Sequence, residues 1–273
     1  MEFKQLTKNQ KIPVLGLGTW RMGGGLTADR SNDQKYVSAI RYAIKRGITH
    51  IDTAEIYGAG HTEELIEAAI KIFPRQKLFI TTKVSPQHLF LPGQILKSCQ
   101  NSLKRLQTDY IDLNLIHWPN PLAPMKKVMA TFDQLVKEGK IRYIGVSNFS
   151  VNQLKNAQKY TKHKIVCNQV HYSLLHRDPE EELLPYCQKE GIILTAYSPL
   201  EIGRLAGEQF EAIQSVAKKY KKSPVQVALR WLIEKPQVIV IPKASTKAHI
   251  DELLGCLGWK MSQEDQEYLS KEF

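Results

Sequence analysis

The sequence predicts an α/β fold, a (β/α)8 TIM barrel, with an N-terminal β-hairpin as a cap and extra helices near the C-terminus. Three observations lead there. Strand-like and helix-like segments alternate without interruption along the 273 residues and give about eight β-α units, the number that closes a parallel barrel. The strand-like segments are continuous apolar runs, such as Leu78-Phe79-Ile80-Thr81-Thr82, as strands buried on both faces require. No GxGxxG follows the first strand, and Gly23-Gly24-Gly25 has the wrong spacing for the fingerprint of the competing doubly wound sheet.

Taken in order, the chain opens with a short hairpin near 2–5 and 11–14, turning at Lys8-Asn9-Gln10, which would plug the amino-terminal end of the barrel. Strands are expected at Val14–Gly18, Ile48–Asp52, Leu78–Lys83, Tyr110–His117, Tyr143–Ser147, Ile165–Val170, Ile192–Tyr197 and Gln237–Ile241. Helical patterns lie between and after them, at about 33–46, 62–72, 93–106, 125–138, 150–160, 180–190, 223–235 and 246–256. An extra helix at about 207–220 interrupts the seventh unit, and another at about 262–271 ends the chain. Local signals agree. Ser223-Pro224-Val225-Gln226 combines a capping serine, proline at the first helical position and glutamine at the capping-box position, and Ser150 with Gln153 makes a similar box. Gly47, Gly139 and Gly191 each follow a helix and precede a strand. With no linker or low-complexity segment, residues 1–273 read as a single domain.

Composition excludes several classes. Hydrophobic residues are 42% and charged residues 24% of the chain, ordinary for a globular protein. No stretch approaches the roughly 20 apolar residues that span a bilayer, and MEFKQLTKNQ lacks the apolar core of a signal peptide. A cytoplasmic protein with no membrane role is expected. Cys99, Cys167, Cys187 and Cys256 are scattered, without CxxC or zinc spacing, and read as reduced, buried thiols. The eight histidines contain no HExxH, so no metal site is expected. The net charge of +11 is concentrated at Lys155 to Lys164 and at Lys218 to Lys222, each near the end of a predicted helix. Cations are favoured there by the helix dipole, so solvated helix ends, rather than a nucleic-acid surface, are the reading. The surplus charge would also help attract an anionic cofactor.

Barrel active sites form at the carboxyl ends of the strands. By that rule one rim gathers Thr19 and Trp20, Asp52 and Tyr57, Lys83, His117 and Trp118, Ser147 and Asn148, Gln169, Tyr197 and Ser198, and Lys243. Four of these suit one piece of chemistry. A tyrosine with a reference pKa of about 10 donates a proton more readily when its phenolate is stabilised, and a neighbouring ammonium does this. Lys83 is the candidate ammonium, and Asp52 the carboxylate that keeps a buried lysine charged. His117 offers a hydrogen bond to a substrate oxygen, or a second route for the proton. Together they make an electrophilic pocket around one oxygen atom, suited to carbonyl reduction: hydride arrives at carbon while Tyr57 protonates oxygen.

The chain resembles the aldo-keto reductase family over nearly its full length, in the manner of a compact prokaryotic member. The matching segments are GITHIDTAEIYG (47–58), TTKV (81–84), SLKRLQTDYIDLNLIHWP (102–119), LVKEGKIRYIGVSNF (135–149), NQVHY (168–172), AYSPL (196–200) and IPKAS (241–245). The resemblance implies an alcohol dehydrogenase-type oxidoreductase that reduces aldehydes and ketones. Asp52, Tyr57, Lys83 and His117 would be its catalytic tetrad, with Tyr57 as general acid. It also implies NADPH bound in extended form across the rim. Tyr197 resembles the ring that stacks on nicotinamide, and Ser147, Asn148 and Gln169 resemble the carboxamide binders. Gly18, Thr19, Trp20 and Asp52 would also bind the cofactor. Ser198, Pro199, Leu200 and Gly203 match the loop over the pyrophosphate, and Lys243 the residue facing the 2′-phosphate. Ile241, Ala244, Ser245, Thr246, His249 and Glu252 would complete the adenine end.

The sequence departs from the family there. Ala244 stands where many members have serine, His249 where arginine is common, and Leu253 where asparagine is common. Histidine is a weaker phosphate partner than a bidentate arginine, so Lys243 favours NADPH while NADH stays open as a second cofactor. The substrate pocket is expected from Trp20, Tyr57, His117 and Trp118, with His88, Leu89 and Phe90 at the entrance. No long carboxy-terminal loop narrows it, so broad specificity for small carbonyl compounds is expected, from a monomer. His50 reads as a packed structural histidine, and His171 and His176 have no assigned role. Two other functions use the same rim: a Schiff-base lyase acting through Lys83, and a cofactor-binding, redox-sensing partner protein with little turnover.

Overall fold

The computed structural model describes residues 1–207 and 209–273. It begins with the expected hairpin, β1 (Phe3–Thr7) antiparallel to β2 (Gln10–Pro13). Eight parallel strands follow in sequence order: β3 (Leu17–Gly18), β4 (His50–Asp52), β5 (Phe79–Val84), β6 (Ile111–Ile116), β7 (Ile141–Ser147), β8 (Ile165–His171), β9 (Ile193–Tyr197) and β10 (Val238–Val240). The sheet curls until its ends meet. Leu15 bridges Val240, the Gly16 N–H donates to the Val240 carbonyl (2.9 Å), and the Gly18 N–H donates to that of Pro242 (3.0 Å). Only two residues of the predicted first strand keep regular pairing, because the rest of that run makes this closure.

Helices wrap the outside: α1 (Asp33–Lys45), α2 (His61–Ile70), α3 (Pro92–Leu106), α4 (Met125–Lys137), α5 (Val151–Gln158), α6 (Leu183–Glu190), α7 (Glu211–Tyr220), α8 (Pro224–Glu234), α9 (Lys247–Leu254) and α10 (Gln263–Glu272). Both predicted capping boxes are formed, at Ser150/Gln153 and Ser223/Gln226. Gly47, Gly139 and Gly191 all have positive φ. Two helix starts differ from expectation. The stretch from 180 opens as a 3-10 turn (Asp178–Glu180) before α6. The extra helix starts at Glu211 rather than 207, and residue 208 of that predicted stretch lies outside the described residues. All four cysteines are buried and free.

Leu6 and Ile12 of the hairpin pack with Phe79, Leu113, Leu115, Cys167, Ile193 and Ile239 in one buried cluster. Leu113 and Leu115 are two residues apart on β6 and so share its inner face. The hairpin thus stoppers one end of the barrel interior, and the opposite rim is left open. Ile12 is fully buried, and an Ile→Ala truncation of that kind leaves a cavity costing about 2–5 kcal/mol. Ile12→Ala is therefore expected to lower the unfolding free energy by that amount, read as a lower urea midpoint at unchanged m. An unchanged midpoint would show that the hairpin is not a stopper.

Candidate functional site

Strand register explains how distant residues meet at the open rim. Asp52 pairs with Thr81, and Lys83 lies two residues beyond Thr81, on the same face. Lys83 pairs with Leu115, and His117 lies two beyond Leu115. Leu115 pairs with Gly145, two before Ser147, which pairs with Gln169. Gln169 pairs with Thr195, two before Tyr197. Each strand thus carries the set onward by its stagger, and all of these side chains face one space. Gly18 closes the circle: a Cβ there would lie 2.5 Å from the Ile241 carbonyl oxygen, so only glycine lets the chain pass this close to the end of β10.

At the floor, Lys83 Nζ donates to Asp52 Oδ1 (2.7 Å), to the Thr53 carbonyl (2.7 Å) and to the Tyr57 hydroxyl oxygen (3.4 Å). Gln169 Nε2 donates to Asp52 Oδ2 (2.7 Å), and Thr19 Oγ1 to the Asp52 carbonyl (2.8 Å). Burial acts to lower the Lys83 pKa, but the attraction of Asp52 and Tyr57 outweighs it and the ammonium is held. Burial raises Asp52, against the pull of Lys83 and Gln169. Tyr57 differs from expectation in sign. Lys83 does pull its pKa down, but burial is the larger effect and the net shift is upward. In the free protein the phenol is held as an acid.

His117 is pushed down to about 3, by burial first and then by the Lys83 charge, so it is neutral near pH 7. Its Nδ1 is buried without a partner. An unpartnered acceptor there costs less than an unpartnered N–H, which favours the proton on Nε2, toward the cleft. Its ring meets that of Tyr57 edge-on at 5.9 Å, and Trp20 leans on Tyr57 from another side at 4.8 Å. An oxygen atom placed between Tyr57 and His117 would meet two neutral donors, backed by one ammonium.

From this floor a cleft of about 740 Å³ extends along the rim, within the usual range for small-molecule sites. It brings together Gly18, Thr19, Trp20, Asp52, Tyr57, His117, Trp118, Ser147, Asn148, Gln169, Tyr197, Ser198, Pro199, Leu200, Gly203, Ile241, Lys243, His249 and Glu252. The Tyr197 hydroxyl donates to Asn148 Oδ1 (3.1 Å), Asn148 Nδ2 to the His117 carbonyl (3.2 Å), and Ser147 Oγ to the Gln169 carbonyl (2.8 Å). Lys83 does not line the cleft; it lies behind Asp52 and Tyr57. Ala244, Ser245 and Thr246 also fall outside it: Ala244 is buried, and Thr246 Oγ1 caps α9 by accepting from the His249 N–H.

The cleft also has members not expected from the sequence: Arg21, Ile56, Ile202, Ala206, Val225 and Pro242. Arg21 sits at positive φ and pairs with Gly24 in a tight local turn; the glycine run 23–25 signals a turn, but not that an arginine enters the cleft. With Lys243 it makes a cationic end to the cleft; partial burial, then the charges of Arg21 and of Lys35 outside the cleft, lower the Lys243 pKa. His50 is buried and bonded to Thr81 Oγ1 (3.0 Å), as a packed histidine should be. Among the described residues no cluster of three or more His, Cys, Asp or Glu side chains forms a metal site. No helix described is long and apolar enough to cross a membrane.

The profile described as the Aldo/keto reductase family matches residues 14–271. Methylglyoxal reductase YeaE of Escherichia coli K12 is 35% identical over 98% of this chain and 94% of its own. Among solved structures, the thermostable aldo-keto reductase Tm1743, in complex with the inhibitor epalrestat, is 46% identical with a TM-score of 0.97 over 100% of both chains. An aldo-keto reductase from Klebsiella pneumoniae, in complex with NADPH, is 35% identical with a TM-score of 0.89 over 99% of this chain and 95% of its own.

Proposed function

The chain belongs to the aldo/keto reductase family, and from that premise we propose that it reduces aldehydes and ketones to alcohols with NADPH, Tyr57 acting as general acid. The observation that carries this reading is the Tyr57 hydroxyl, set at the cleft floor between the Lys83 ammonium and a neutral His117. When bound, the dihydronicotinamide supplies hydride to the carbonyl carbon. Tyr57 gives its proton to the carbonyl oxygen as charge develops there, and Lys83 stabilises the phenolate left behind. His117 holds the same oxygen through Nε2. Asp52 keeps Lys83 charged.

The cleft's own features fit such a cofactor. A planar ring, Tyr197, stands beside the floor with the amides of Asn148 and Gln169 near it, and Arg21 and Lys243 supply positive charge at the far end. Trp20 and Trp118, both half-exposed, form apolar walls, and this openness supports broad specificity. Lys83 donates to three acceptors and has no free lone pair for a Schiff base. A monomer acting in the cytoplasm, folded as one domain over residues 1–273, completes the reading.

A panel of aldehydes, ketones and dicarbonyls, with methylglyoxal from the name of the E. coli relative, assayed with NADPH and NADH side by side, tests it. Oxidation of NADPH by several members is the expected result. Tight cofactor binding without turnover of any member would favour the redox-sensing alternative. Within the same assay, Lys243→Ala is expected to raise KM for NADPH by about tenfold, the size of one lost charge-assisted contact. KM for NADH, which lacks the phosphate, should stay within about twofold by the same reasoning. A parallel rise for both cofactors would remove Lys243 from the phosphate.

A further inference from the structure

His171 and Glu201 take no part in the chemistry described so far, yet both lie beside the cleft. His171 ends β8 in register with Tyr197, so the two rings stack flat, 5.5 Å apart and 9° from parallel. A tight turn, closed by the Ser173 N–H on the His176 carbonyl (3.1 Å), returns the chain so that His176 covers the other side, 4.1 Å away and 11° from parallel. His171 is therefore fixed between two rings, and only its edge is free to bond. That edge meets Glu201: Nε2 lies 2.6 Å from Glu201 Oε1, and Ser173 Oγ donates to the same oxygen at 2.6 Å.

Glu201 belongs to the connection after β9, where Ser198, Pro199, Leu200, Ile202 and Gly203 form one wall of the cleft. The backbone there is unfavourable by itself. Ser198 (φ 49°), Glu201 (φ 49°) and Ile202 (φ 55°) all occupy the left-handed region, which L residues avoid and β-branched ones most of all. Packing does not compensate at Ile202, which is 95% exposed. The far end of the segment is anchored, since Leu205 is fully buried. At the near end Pro199 is buried and Leu200 packs on the core, and the side-chain tie on the strained residues themselves is the Glu201 carboxylate, drawn back to His171 and Ser173.

We propose that His171 is a positioning residue: through Glu201 it latches the 198–203 wall of the cleft and so sets how fast the nicotinamide cofactor leaves. The second half rests on the cofactor reading above; the latch itself does not. Arg204 is exposed within the same segment and gives a readout that needs no cofactor. In the cofactor-free protein, Glu201→Ala is expected to be cut by trypsin after Arg204 about tenfold faster than the parent, the size of one lost charge-assisted hydrogen bond. His171→Phe keeps a flat ring in the stack but removes the donor, and it should match Glu201→Ala. The double variant should add little, as for two halves of one interaction. Glu201→Gln keeps an acceptor oxygen and should restore most of the protection.

In stopped-flow release of NADP⁺, followed by tryptophan fluorescence, the same two single variants should lose cofactor about tenfold faster and show a higher cofactor KM. Their single-turnover hydride transfer should stay within about twofold of the parent, because the tetrad is untouched. Parental rates of tryptic cleavage in both variants overturn the latch whatever the cofactor does. Faster cleavage with unchanged release overturns its role in cofactor exchange. Faster cleavage in a protein whose parent binds neither NADPH nor NADP⁺ upholds the latch and sinks the cofactor reading instead.

Discussion

Tyr57→Phe is expected to lower kcat for aldehyde reduction by about 10²- to 10⁴-fold, the usual worth of a positioned general acid, with cofactor affinity unchanged. The substitution removes one hydroxyl whose protein hydrogen bond, to Lys83, is a long 3.4 Å, so stability should move by no more than about 1 kcal/mol. The pH profile carries a second signature. Tyr57 donates only while protonated, and burial holds its pKa above the ordinary tyrosine value. Reduction should therefore persist through neutral pH and fall only as pH rises through that elevated value. Alcohol oxidation needs the phenolate and should grow with pH over the same window. His117 sits at about 3 and stays neutral from pH 5 upward, so it should add no limb near pH 6. Rate profiles in both directions, with and without the hydroxyl, check this. A Phe variant that kept its rate would transfer the acid role elsewhere, with His117 the first alternative.

Much of this site could be read before folding was considered, for a physical reason. A strand buried on both faces leaves an apolar run in the sequence, and the first polar residue after it marks the rim. Asp52, Lys83 and His117 each close such a run, and strand stagger brings them together. What depended on three dimensions stayed hidden. Lys83 was expected to make Tyr57 more acidic, yet desolvation by the surrounding barrel exceeds the effect of one charge. Arg21 enters the cleft because the chain turns back on Gly24; the glycine run marks the turn, but where the turn aims Arg21 depends on the barrel it sits on. Ser245 and Thr246 follow Lys243 closely in sequence, but α9 begins there and its cap uses Thr246. His171 had no visible role because its partners lie in two other segments, at Tyr197 and Glu201.

The second large effect belongs to Asp52→Asn, which should lower both stability and turnover. Asp52 is 2% exposed and is the counter-charge of a lysine whose side chain is fully buried. Removing one partner of a buried pair typically costs about 3–5 kcal/mol, because the other is stranded. The stranded Lys83 then tends to shed its proton. In the parent, its pKa is raised, so its contribution is fully present below the unfolded value and is lost only as pH rises through the folded one. In the variant the folded pKa falls below the unfolded value of about 10.4. Between the two the unfolded chain binds more protons, so variant stability should climb with pH, whereas Lys83 in the parent gives no such rise. Denaturant unfolding at a series of pH values distinguishes the two cases. Adding Lys83→Met to Asp52→Asn removes the stranded charge and should recover most of the stability, but not turnover, since Tyr57 would still lack its ammonium. Recovery of both would show that the ion pair only holds the barrel together; recovery of neither would show that the Asp52 carboxylate serves Gln169, and the Lys83 ammonium the Thr53 carbonyl, more than the two serve each other.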